Sequence, residues 1–334
     1  MTSSILLADI GGTNVRFALS TENGAPLECV TAMRCADFER PIDAIRQYLA
    51  FIANSGAPLP GFFCMAVAAA VRGDLIRFTN NDWQFSQAEL SQSLGMPITV
   101  LNDFEAQAWC LLDPNRLKLR WINKPATLAS SAPGISSWPH ALRTIAGPGT
   151  GFGAASLTAG GEVISAEPGH IAFSPLDETD LELLQQLWRW YPRVTVEHLI
   201  SGPGIANIFC AVSCMAGNRL SPAEAPATAD IVAMADSNRL AHQTLQLFSR
   251  WMGAICGDIA LTKGSRGGFL LSGGLLAKLG KNFDEMAFMN AFTSKSAFSQ
   301  WCEAIPVAYV LDEFPGLAGC AVHTYFMTGQ RQNL

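Results

Sequence analysis

The sequence predicts a two-domain α/β protein, and three observations support this fold class. The chain has 334 residues, which exceeds the usual size of a single hydrophobic core. Hydrophobic residues make up 49% of the chain and charged residues 15%, a composition typical of compactly folded domains. Short apolar runs alternate along the chain with segments of helical periodicity. This alternation of strands and helices is typical of α/β sheets.

The composition also disfavours several classes of protein. A net charge of −6 and a pI near 5.4 argue against a nucleic-acid or anionic-membrane partner, which would need a concentrated basic face. The nine cysteines are scattered without a C-x-x-C pair, which fits a reducing cytosol. Asp9 interrupts the N-terminal apolar run, so we expect no signal peptide and a cytoplasmic protein. The uncharged span between Arg46 and Arg72 contains Pro58 and Pro60 and is not a membrane helix.

The first predicted strand ends in a glycine turn that carries an acid. Apolar runs enter and leave this turn, so the segment is typical of strand, tight turn, strand. We expect Gly11 and Gly12 to take positive φ and to let a phosphate approach the backbone amides. Asp9 then requires a divalent cation, hydrated Mg²⁺, between its carboxylate and the phosphate. An ordinary Gly-Gly hairpin fits the same residues equally well.

The next segments alternate between helical and strand patterns. Residues 43–52 have the apolar spacing of one helical face, and a loop of Ser, Gly, Ala and Pro ends this helix. Buried strands are predicted where a short run is continuously apolar. The predictions in order are a strand over 61–71, a turn into a strand over 75–79, a helix over 86–95 and a strand over 98–101.

Asn102 and Asp103 follow the last of these strands. Ligands of open α/β sheets lie beyond the carboxyl ends of strands, so polar side chains there have access to a ligand. Asp103 could act as a general base toward a hydroxyl group, with the Asn102 amide holding the same substrate. The alternative is that one of the two residues caps the following helix, which is the more frequent role.

A second glycine-rich stretch spans residues 147–153. Gly149, Gly151 and Ala154 formally satisfy the G-x-G-x-x-G/A dinucleotide pattern, but that pattern must open a helix. The residues that follow are typical of strand, turn, strand, so a nicotinamide dehydrogenase is disfavoured. A β-turn containing Thr150 can still hold a phosphate through amides and a hydroxyl group.

Three further polar residues are candidates for binding a small ligand. Glu167 and His170 are three positions apart across a Pro-Gly turn, and together a carboxylate and an imidazole suit vicinal hydroxyl groups. A surface turn with a stray histidine is the more common case for so short a motif. Glu197 is the only acid in the run 194–200, and alone it would be interpreted as a solvated helix residue. The sequence has no H-E-x-x-H motif and no cysteine cluster for zinc.

The remaining segments supply more helices and two strands. Thr179 or Asp180 is predicted to cap a helix that carries Leu181 and stops at Pro192. A strand over 267–272 ends at Gly273 and Gly274, whose bare backbone would let an adenine or ribose approach, although a helix-initiating turn is as good an interpretation. The other predictions are an apolar helix from about 205, a long helical region over about 229–261, a strand over 305–310 and a final helix over 315–326.

Taken in order, these motifs resemble those of the bacterial glucokinase family, in the hexokinase, actin and Hsp70 superfamily. The resemblance covers nearly the whole chain, and it depends on the order of the blocks because each one alone is weak. The blocks are Asp9 to Arg16, Leu101 to Phe104, Gly147 to Gly153, Glu167 to His170, Leu199 to Gly204, Gly273 with Gly274, and Pro315 to Gly319.

The resemblance implies a fold of two ribonuclease-H-like (actin-like ATPase) lobes around a central cleft. The implied small lobe spans residues 1–112 and is completed by a C-terminal helix over 313–334. The implied large lobe spans residues 113–312. ATP and glucose would meet in the cleft, and closure of the lobes would exclude water from the transferring phosphoryl group.

The resemblance also implies the reaction and its residues: Mg²⁺ and ATP phosphorylate glucose to glucose 6-phosphate, with Asp103 as the general base. The implied sugar-binding residues are Asn102, Glu167, His170 and Glu197. The residues implied to hold the nucleotide are Asp9, Ile10, Gly11, Gly12, Thr13, Asn14, Gly149, Thr150, Gly151, Gly273 and Gly274. Asp9 would hold Mg²⁺ through water. The resemblance alone makes a homodimer plausible.

Two departures from the family pattern leave alternatives open. Pro168 stands where the pattern usually has glycine, so a kinase for mannose, fructose or an amino sugar is the nearest rival. Residues 67–70 replace a stretch that often contains Cys-Pro. A sugar-sensing regulator without catalysis is the rival of a different class, and Asp103 together with both phosphate turns disfavours it. A metabolite hydrolase on the same fold would not need the four implied sugar-binding residues. The zinc-binding cysteine cluster of the ROK family is absent from the sequence, which favours the glucokinase branch over the ROK enzymes.

Overall fold

The computed structural model describes residues 4–20, 27–78, 81–125, 128 and 138–327. The chain divides into two compact units. Unit 1 consists of Met1–Leu117 with Asp312–Leu334, and unit 2 is Lys118–Leu311.

Each unit contains one main β-sheet. The strands of unit 1 are β1 (Ile5–Ile10), β2 (Asn14–Ser20), β3 (Glu28–Arg34), β4 (Phe62–Val67), β5 (Leu75–Arg77), β6 (Gln84–Ser86) and β7 (Ile98–Asn102). The strands of unit 2 are β8 (Leu119–Asn123), β9 (Arg143–Pro148), β10 (Phe152–Leu157), β11 (Val163–Ala166), β12 (Gly268–Leu271) and β13 (Val307–Val310).

Helices follow the strands in both units. In chain order they are α1 (Pro41–Asn54), α2 (Gln87–Leu94), α3 (Asp103–Trp109), α4 (Glu178–Leu187), α5 (Gly202–Met215), α6 (Thr228–Ala233), α7 (Arg239–Lys263), α8 (Gly274–Leu279), α9 (Glu285–Thr293), α10 (Ser299–Glu303) and α11 (Pro315–Met327). Helix α11 returns to unit 1, where it packs on α3 and β1.

The two main sheets share one strand topology. In unit 1 the order is β3-β2-β1-β4-β7, with antiparallel pairing from β1 to β3 and parallel pairing of β1, β4 and β7. In unit 2 the order is β11-β10-β9-β12-β13-β8, with the same directions for the first five strands and β8 added antiparallel at the edge. The turn after β1 in unit 1 and the turn after β9 in unit 2 therefore lie at the end of the sheet where the parallel strands finish.

The position of each strand in its sheet explains its sequence. Strand β4 has neighbours on both sides and is apolar and buried over Phe63–Val67, as expected for a central parallel strand. The edge strand β3 alternates between exposed and half-buried residues. The core of unit 1 contains a stacked pair, Phe17 and Tyr48, with ring centroids 4.9 Å apart. The core of unit 2 surrounds Trp251 and Phe248 of α7, and both are fully buried.

Several predicted elements have different bounds in the structure. The predicted strand 61–71 ends at Val67, and the predicted long helical region is two helices, α6 and α7, because Asn238 caps a new helix. Strands β3, β6 and β8 and helices α9 and α10 were not predicted. Thr79 of the predicted strand 75–79 lies outside the described residues, as do residues 328–334 of the C-terminal helix that the resemblance implies.

The predicted cap of α4 is wrong. The cap is Asp177, whose side chain accepts a hydrogen bond from the Asp180 amide at 2.8 Å. Asp180 is fully buried and bonds to Arg250. Helix α4 also ends at Leu187, before Pro192, and leaves Leu181 exposed.

In the part of the chain that the structure describes, no helix combines the length and the apolar character needed to cross a membrane.

Candidate active site

The first glycine turn joins β1 to β2 and is held through its own carbonyl groups. The Gly11 amide donates to the Asn14 carbonyl at 2.9 Å, and the Cys35 amide donates to the Thr13 carbonyl at 2.9 Å. The Asn81 side chain donates to the Gly11 carbonyl at 3.3 Å. Thr13 is exposed at the tip.

The expected positive φ at Gly11 and Gly12 is wrong. Among the described glycines, positive φ occurs at other positions, such as Gly161 and Gly273. A Cβ atom added at Gly11 would meet only the Asn14 carbonyl oxygen, at an ordinary 3.6 Å. The turn itself does not require glycine at residue 11, and the missing side chain leaves space beside the backbone.

Asp9 lies on β1 directly before this turn, with its side chain 22% exposed. Burial raises the pKa of Asp9, and the positive charge of Arg16 opposes that shift. The Arg16 Nη1 atom lies 3.7 Å from the carboxylate. Gly316 of α11 packs on the same carboxylate, since a Cβ atom there would lie 3.2 Å from its Cγ. A carboxylate in these surroundings is stabilised by an added cation.

Among the described residues, no group of three or more His, Cys, Asp or Glu side chains is placed to hold a metal ion. A metal at Asp9 would therefore take most of its ligands from water and a bound phosphate. Mg²⁺ suits such a site because it keeps several waters and binds through one or two carboxylates plus phosphate oxygens. The residues present fit a hydrated Mg²⁺.

Asn102 ends β7 and is the N-cap of α3. Its Oδ1 atom accepts hydrogen bonds from the Phe104 and Glu105 amides at 3.0 and 3.3 Å. The Glu105 side chain accepts from the Asn102 amide at 3.3 Å, which completes a capping box. The Asn102 Nδ2 atom donates to the Ala69 carbonyl at 3.3 Å. The helix-cap alternative is thus confirmed for Asn102.

Asp103 is the first residue of α3, and its Oδ1 atom accepts from the Phe104 amide at 2.9 Å. Strand β7 lies two strands from β1, with β4 between them. This places Asp103 about 10 Å from the first glycine turn along the sheet edge. The Ala68 amide donates to the Ile10 carbonyl at 3.0 Å, so backbone between the two features is also bonded to the turn. Unit 1 therefore brings a glycine turn, an acid and Asn102-Asp103 to one edge of its sheet.

The two roles of Asn102 can be separated by substitution. Asn102→Ser keeps a cap acceptor but removes the amide donor, so we expect the free energy of unfolding to change by less than about 0.5 kcal/mol. Asn102→Ala removes both, and we expect a loss of about 1 kcal/mol. Urea denaturation gives the change in unfolding free energy that follows loss of the cap. The KM for glucose tests whether the Asn102 amide donates to the sugar that the resemblance implies. Sugar binding by the Asn102 amide is contradicted if Asn102→Ser leaves glucose KM unchanged.

The second glycine turn joins β9 to β10, at the position in unit 2 that the first turn has in unit 1. The Gly149 amide donates to the Gly151 carbonyl at 2.8 Å and closes the turn. Thr150 is exposed. Strand β10 follows without a helix, as predicted, so the dinucleotide pattern is excluded.

Glu197 lies against this second turn. Its Oε2 atom accepts a hydrogen bond from the Phe152 amide at 3.1 Å. The Glu197 amide donates to the Gly169 carbonyl at 2.9 Å. The interpretation of Glu197 as a solvated helix residue is wrong, because the residue is half-buried in a loop. Its hydrogen bonds connect that loop to Phe152, directly after the second glycine turn, and to Gly169.

Glu167 precedes a short 3₁₀ turn over Pro168–His170, and His170 is the last residue of that turn. Both side chains are exposed, whereas Pro168 and Gly169 are buried. Pro168 occupies the first position of the turn, where its fixed φ and missing amide hydrogen cost nothing. The Gly169 carbonyl bonds to Glu197, so unit 2 brings Glu167, His170 and Glu197 to the second glycine turn.

Tyr191 and His198 support the Glu197 loop and were not predicted as site residues. Their rings stack with centroids 4.2 Å apart, and Asn207 bonds to both residues. The Thr195 amide donates to His198 Nδ1 at 3.0 Å, which requires an unprotonated nitrogen. Burial lowers the pKa of His198, with Glu197 opposing the shift. The only sequence signal was an aromatic residue near a histidine in a polar loop.

Protonation of His198 should destabilise this loop in acid. Its folded-state pKa is lowered, so its contribution to stability is present above the unfolded pKa of about 6.5 and is lost as the pH falls through the folded pKa. His198→Asn keeps the acceptor and cannot titrate. We expect unfolding free energies measured at pH 8 and pH 5.5 to fall more for the parent than for His198→Asn. An equal fall would contradict the assignment.

Gly273 and Gly274 lie beside the strand that leads into the second turn. Gly273 has φ 118°, and a Cβ atom there would lie 2.6 Å from the Pro148 carbonyl oxygen, so this position requires glycine. Gly274 begins α8, and an added Cβ would meet nothing within 4 Å. The helix-initiating alternative is confirmed, because Gly274 begins α8. The approach of an adenine or ribose to this backbone stays a prediction.

Known proteins resemble the chain along nearly its full length. A family model described as Glucokinase matches residues 6–326. The glucokinase of Neisseria meningitidis is 34% identical over 325 residues, which cover 95% of this chain and 93% of that protein. The crystal structure of a glucokinase from an Antarctic psychrotroph is 32% identical, with a TM-score of 0.83 over 98% of this chain and 100% of that chain.

A more distant structure shares the fold. It is a ROK family glucokinase from Streptomyces griseus in complex with glucose and AMPPNP, 20% identical, with a TM-score of 0.61 over 95% of this chain and 98% of that chain. The actin-like ATPase fold predicted from the resemblance is confirmed by these structures. Since both the family model and a relative above 30% identity span the chain, it belongs to the glucokinase family.

Proposed function

We propose that the chain catalyses the ATP-dependent phosphorylation of glucose to glucose 6-phosphate. One observation carries the proposal beyond family membership. Unit 1 holds a glycine turn with an acid and, two strands away on the same sheet edge, a carboxylate at the start of α3. Phosphoryl transfer needs mainly positioning and charge neutralisation. This end of the sheet supplies positioned groups and, in Asp9, a carboxylate that would hold a neutralising Mg²⁺.

Asp103 is the proposed general base. A sugar hydroxyl group barely ionises at pH 7, so a carboxylate must accept its proton as the attack on the phosphoryl group proceeds. Helix α3 fixes Asp103 because the capping box of Asn102 and Glu105 holds the first turn of the helix. The second hydrogen of Asn102 Nδ2 is the proposed donor to the sugar.

The other proposed binding groups lie in turns and loops of the two units and at the start of α8. Glu167, His170 and Glu197 bind sugar hydroxyl groups. Thr150 and the backbone of the second turn bind phosphate, as does the first turn from Gly11 to Thr13. The bare backbone at Gly273 and Gly274 binds the adenosine. Asp9 would hold Mg²⁺ through water, and the ion would supply neutralisation of the phosphate charge.

The test is ADP formation from MgATP with glucose, mannose, fructose, glucosamine or no sugar. We expect kcat/KM for glucose to exceed the values for the other sugars. Preference for another hexose would overturn glucose as the substrate and direct attention to the Pro168 turn. Glucose binding without turnover on any sugar would favour the regulator. A homodimer and a cytoplasmic location stay predictions from the sequence.

A further inference from the structure

We propose that Gly151 of the second glycine turn is a positioning residue for the sugar, and that Glu197 makes the affinities for sugar and nucleotide interdependent. This inference rests on the proposed function, which assigns Glu197 to the sugar and the turn to the phosphates. It adds that the Glu197 carboxylate and the second glycine turn cannot move independently of each other. All the contacts that support it lie within unit 2.

The first link is the carboxylate of Glu197. Its Oε2 atom accepts from the Phe152 amide at 3.1 Å, and Phe152 is the residue directly after the turn. Phe152 is only 3% exposed, so its amide has little access to water as a replacement partner. A sugar held by Glu197 is therefore held by a group already bonded to the backbone of the phosphate turn.

The second link is steric. A Cβ atom at Gly151 would lie 2.2 Å from Glu197 Oε2 and 2.8 Å from its Cδ atom. A Cβ atom at Gly169, in the turn between Glu167 and His170, would lie 2.5 Å from the Phe152 carbonyl oxygen and 3.3 Å from Glu197 Oε2. The carboxylate is thus packed against glycines from the phosphate turn and from the sugar loop. Only residues without a side chain allow this contact.

The third link joins the other end of the turn to the Glu197 loop. The Gly202 amide, in the first turn of α5, donates to the Gly149 carbonyl at 2.8 Å. Ser201 caps α5 and also donates its hydroxyl hydrogen to the Glu197 carbonyl at 2.7 Å. Both ends of the turn are therefore bonded to the segment that carries Glu197.

These links predict a reciprocal effect. If the sugar fixes Glu197, and Glu197 fixes the turn, then each ligand binds better to a protein that holds the other, by the same factor. Loss of one hydrogen bond to a charged group weakens binding about tenfold or more. A change on the nucleotide side should accordingly appear in sugar affinity, and the reverse.

The sugar arm compares Gly151→Ala with Gly160→Ala, in the exposed turn between β10 and β11, where an added Cβ meets only Thr158 Oγ1 at an ordinary 3.7 Å. Glucose affinity is measured by calorimetry without nucleotide. We expect Gly151→Ala to weaken glucose binding about tenfold or more and Gly160→Ala to change it less than about twofold. Equal affinities in the two variants would overturn the proposal.

The nucleotide arm compares Glu197→Ala with Glu167→Ala, since Glu167 has the same proposed role but no bond to the turn. Affinity for AMPPNP with Mg²⁺ is measured without sugar, so the readout does not depend on which sugar is the substrate. We expect Glu197→Ala to bind the nucleotide about tenfold more weakly and Glu167→Ala to match the parent. This nucleotide arm tests the coupling even if Gly151→Ala fails to fold.

The two proposals fail in different ways. A parent protein that phosphorylates glucose while Glu197→Ala and Glu167→Ala bind AMPPNP equally would overturn the coupling and leave the function standing. A parent that binds AMPPNP with the expected difference between these variants, yet phosphorylates no sugar, would overturn the function and support the coupling. A parent that binds neither ligand would overturn both.

Discussion

Asp103→Asn should lower kcat for glucose phosphorylation by about 10²- to 10⁴-fold, the usual contribution of a general base. Asparagine keeps the size of the side chain and an acceptor for the Phe104 amide, so α3 should still begin at residue 103. The amide cannot take the proton of the sugar hydroxyl group. Steady-state ADP formation gives kcat, and glucose binding measured by calorimetry should change little.

Glu105→Gln is the matched control for this variant. It removes one negative charge from the same first turn of α3 and keeps an acceptor for the Asn102 amide. We expect its kcat to stay within about threefold of the parent, since a change without proton transfer should not alter the chemical step. Asp103 is not the base if both variants turn over at similar rates while folding normally.

Gly319→Ala should lower the free energy of unfolding. Gly319 of α11 packs so closely on α3 that an added Cβ would overlap the Ala106 carbonyl oxygen, 1.7 Å away. Overpacking of this kind costs about 3 kcal/mol, and the better helix propensity of alanine returns about 1 kcal/mol. We expect the free energy of unfolding to fall by about 2 kcal/mol. We also expect a lower kcat, because α3 carries Asp103 and small displacements of catalytic groups are costly.

The control for crowding is Gly274→Ala, at the first residue of α8 with no atom within 4 Å of the added methyl group. Its unfolding free energy in urea should change by less than about 1 kcal/mol. If Gly319→Ala is as stable as this control and keeps the kcat of the parent, α11 does not fix the position of α3.

Local patterns were sufficient where the chemistry is local. Ser86 caps α2 and Gly95 ends it in the left-handed region at φ 67°, as the predicted helix 86–95 requires. The strand that ends at Asn102 and the cap at that residue could both be predicted, because an apolar run followed by Asn and an acid three residues later is typical of a capping box. The alternation of such elements was sufficient for the α/β class.

Packing over long distances in sequence could not be predicted in this way. Glu197 contacts Phe152, which is 45 residues away, and nothing in the run around Glu197 distinguishes it from a surface acid. Asp180 was predicted as a cap because caps are the usual role of such residues, whereas it is buried by a contact with Arg250, 70 residues away. Positive φ at Gly11 was expected from the Gly-Gly pair alone, but the hairpin closes without a positive φ at this residue.

The resemblance supplied what the residues alone left open. For Asn102, Glu167 and Glu197 the local sequence favoured a cap, a surface turn and a solvated residue. Only the order of the blocks suggested one shared ligand. The structure shows that Glu167, His170 and Glu197 lie on loops bonded to one another. The sugar binding proposed for them depends on side-chain positions that no short motif encodes.

The identity of the product tests the proposed phosphorylation of glucose most directly. Purified protein is incubated with MgATP and ¹³C-labelled glucose, and the reaction is followed by ³¹P and ¹³C NMR. We predict one ADP for each glucose consumed and a phosphate ester on the carbon 6 hydroxyl group. ADP formed with free phosphate and intact glucose, or an ester at another carbon, would contradict the account.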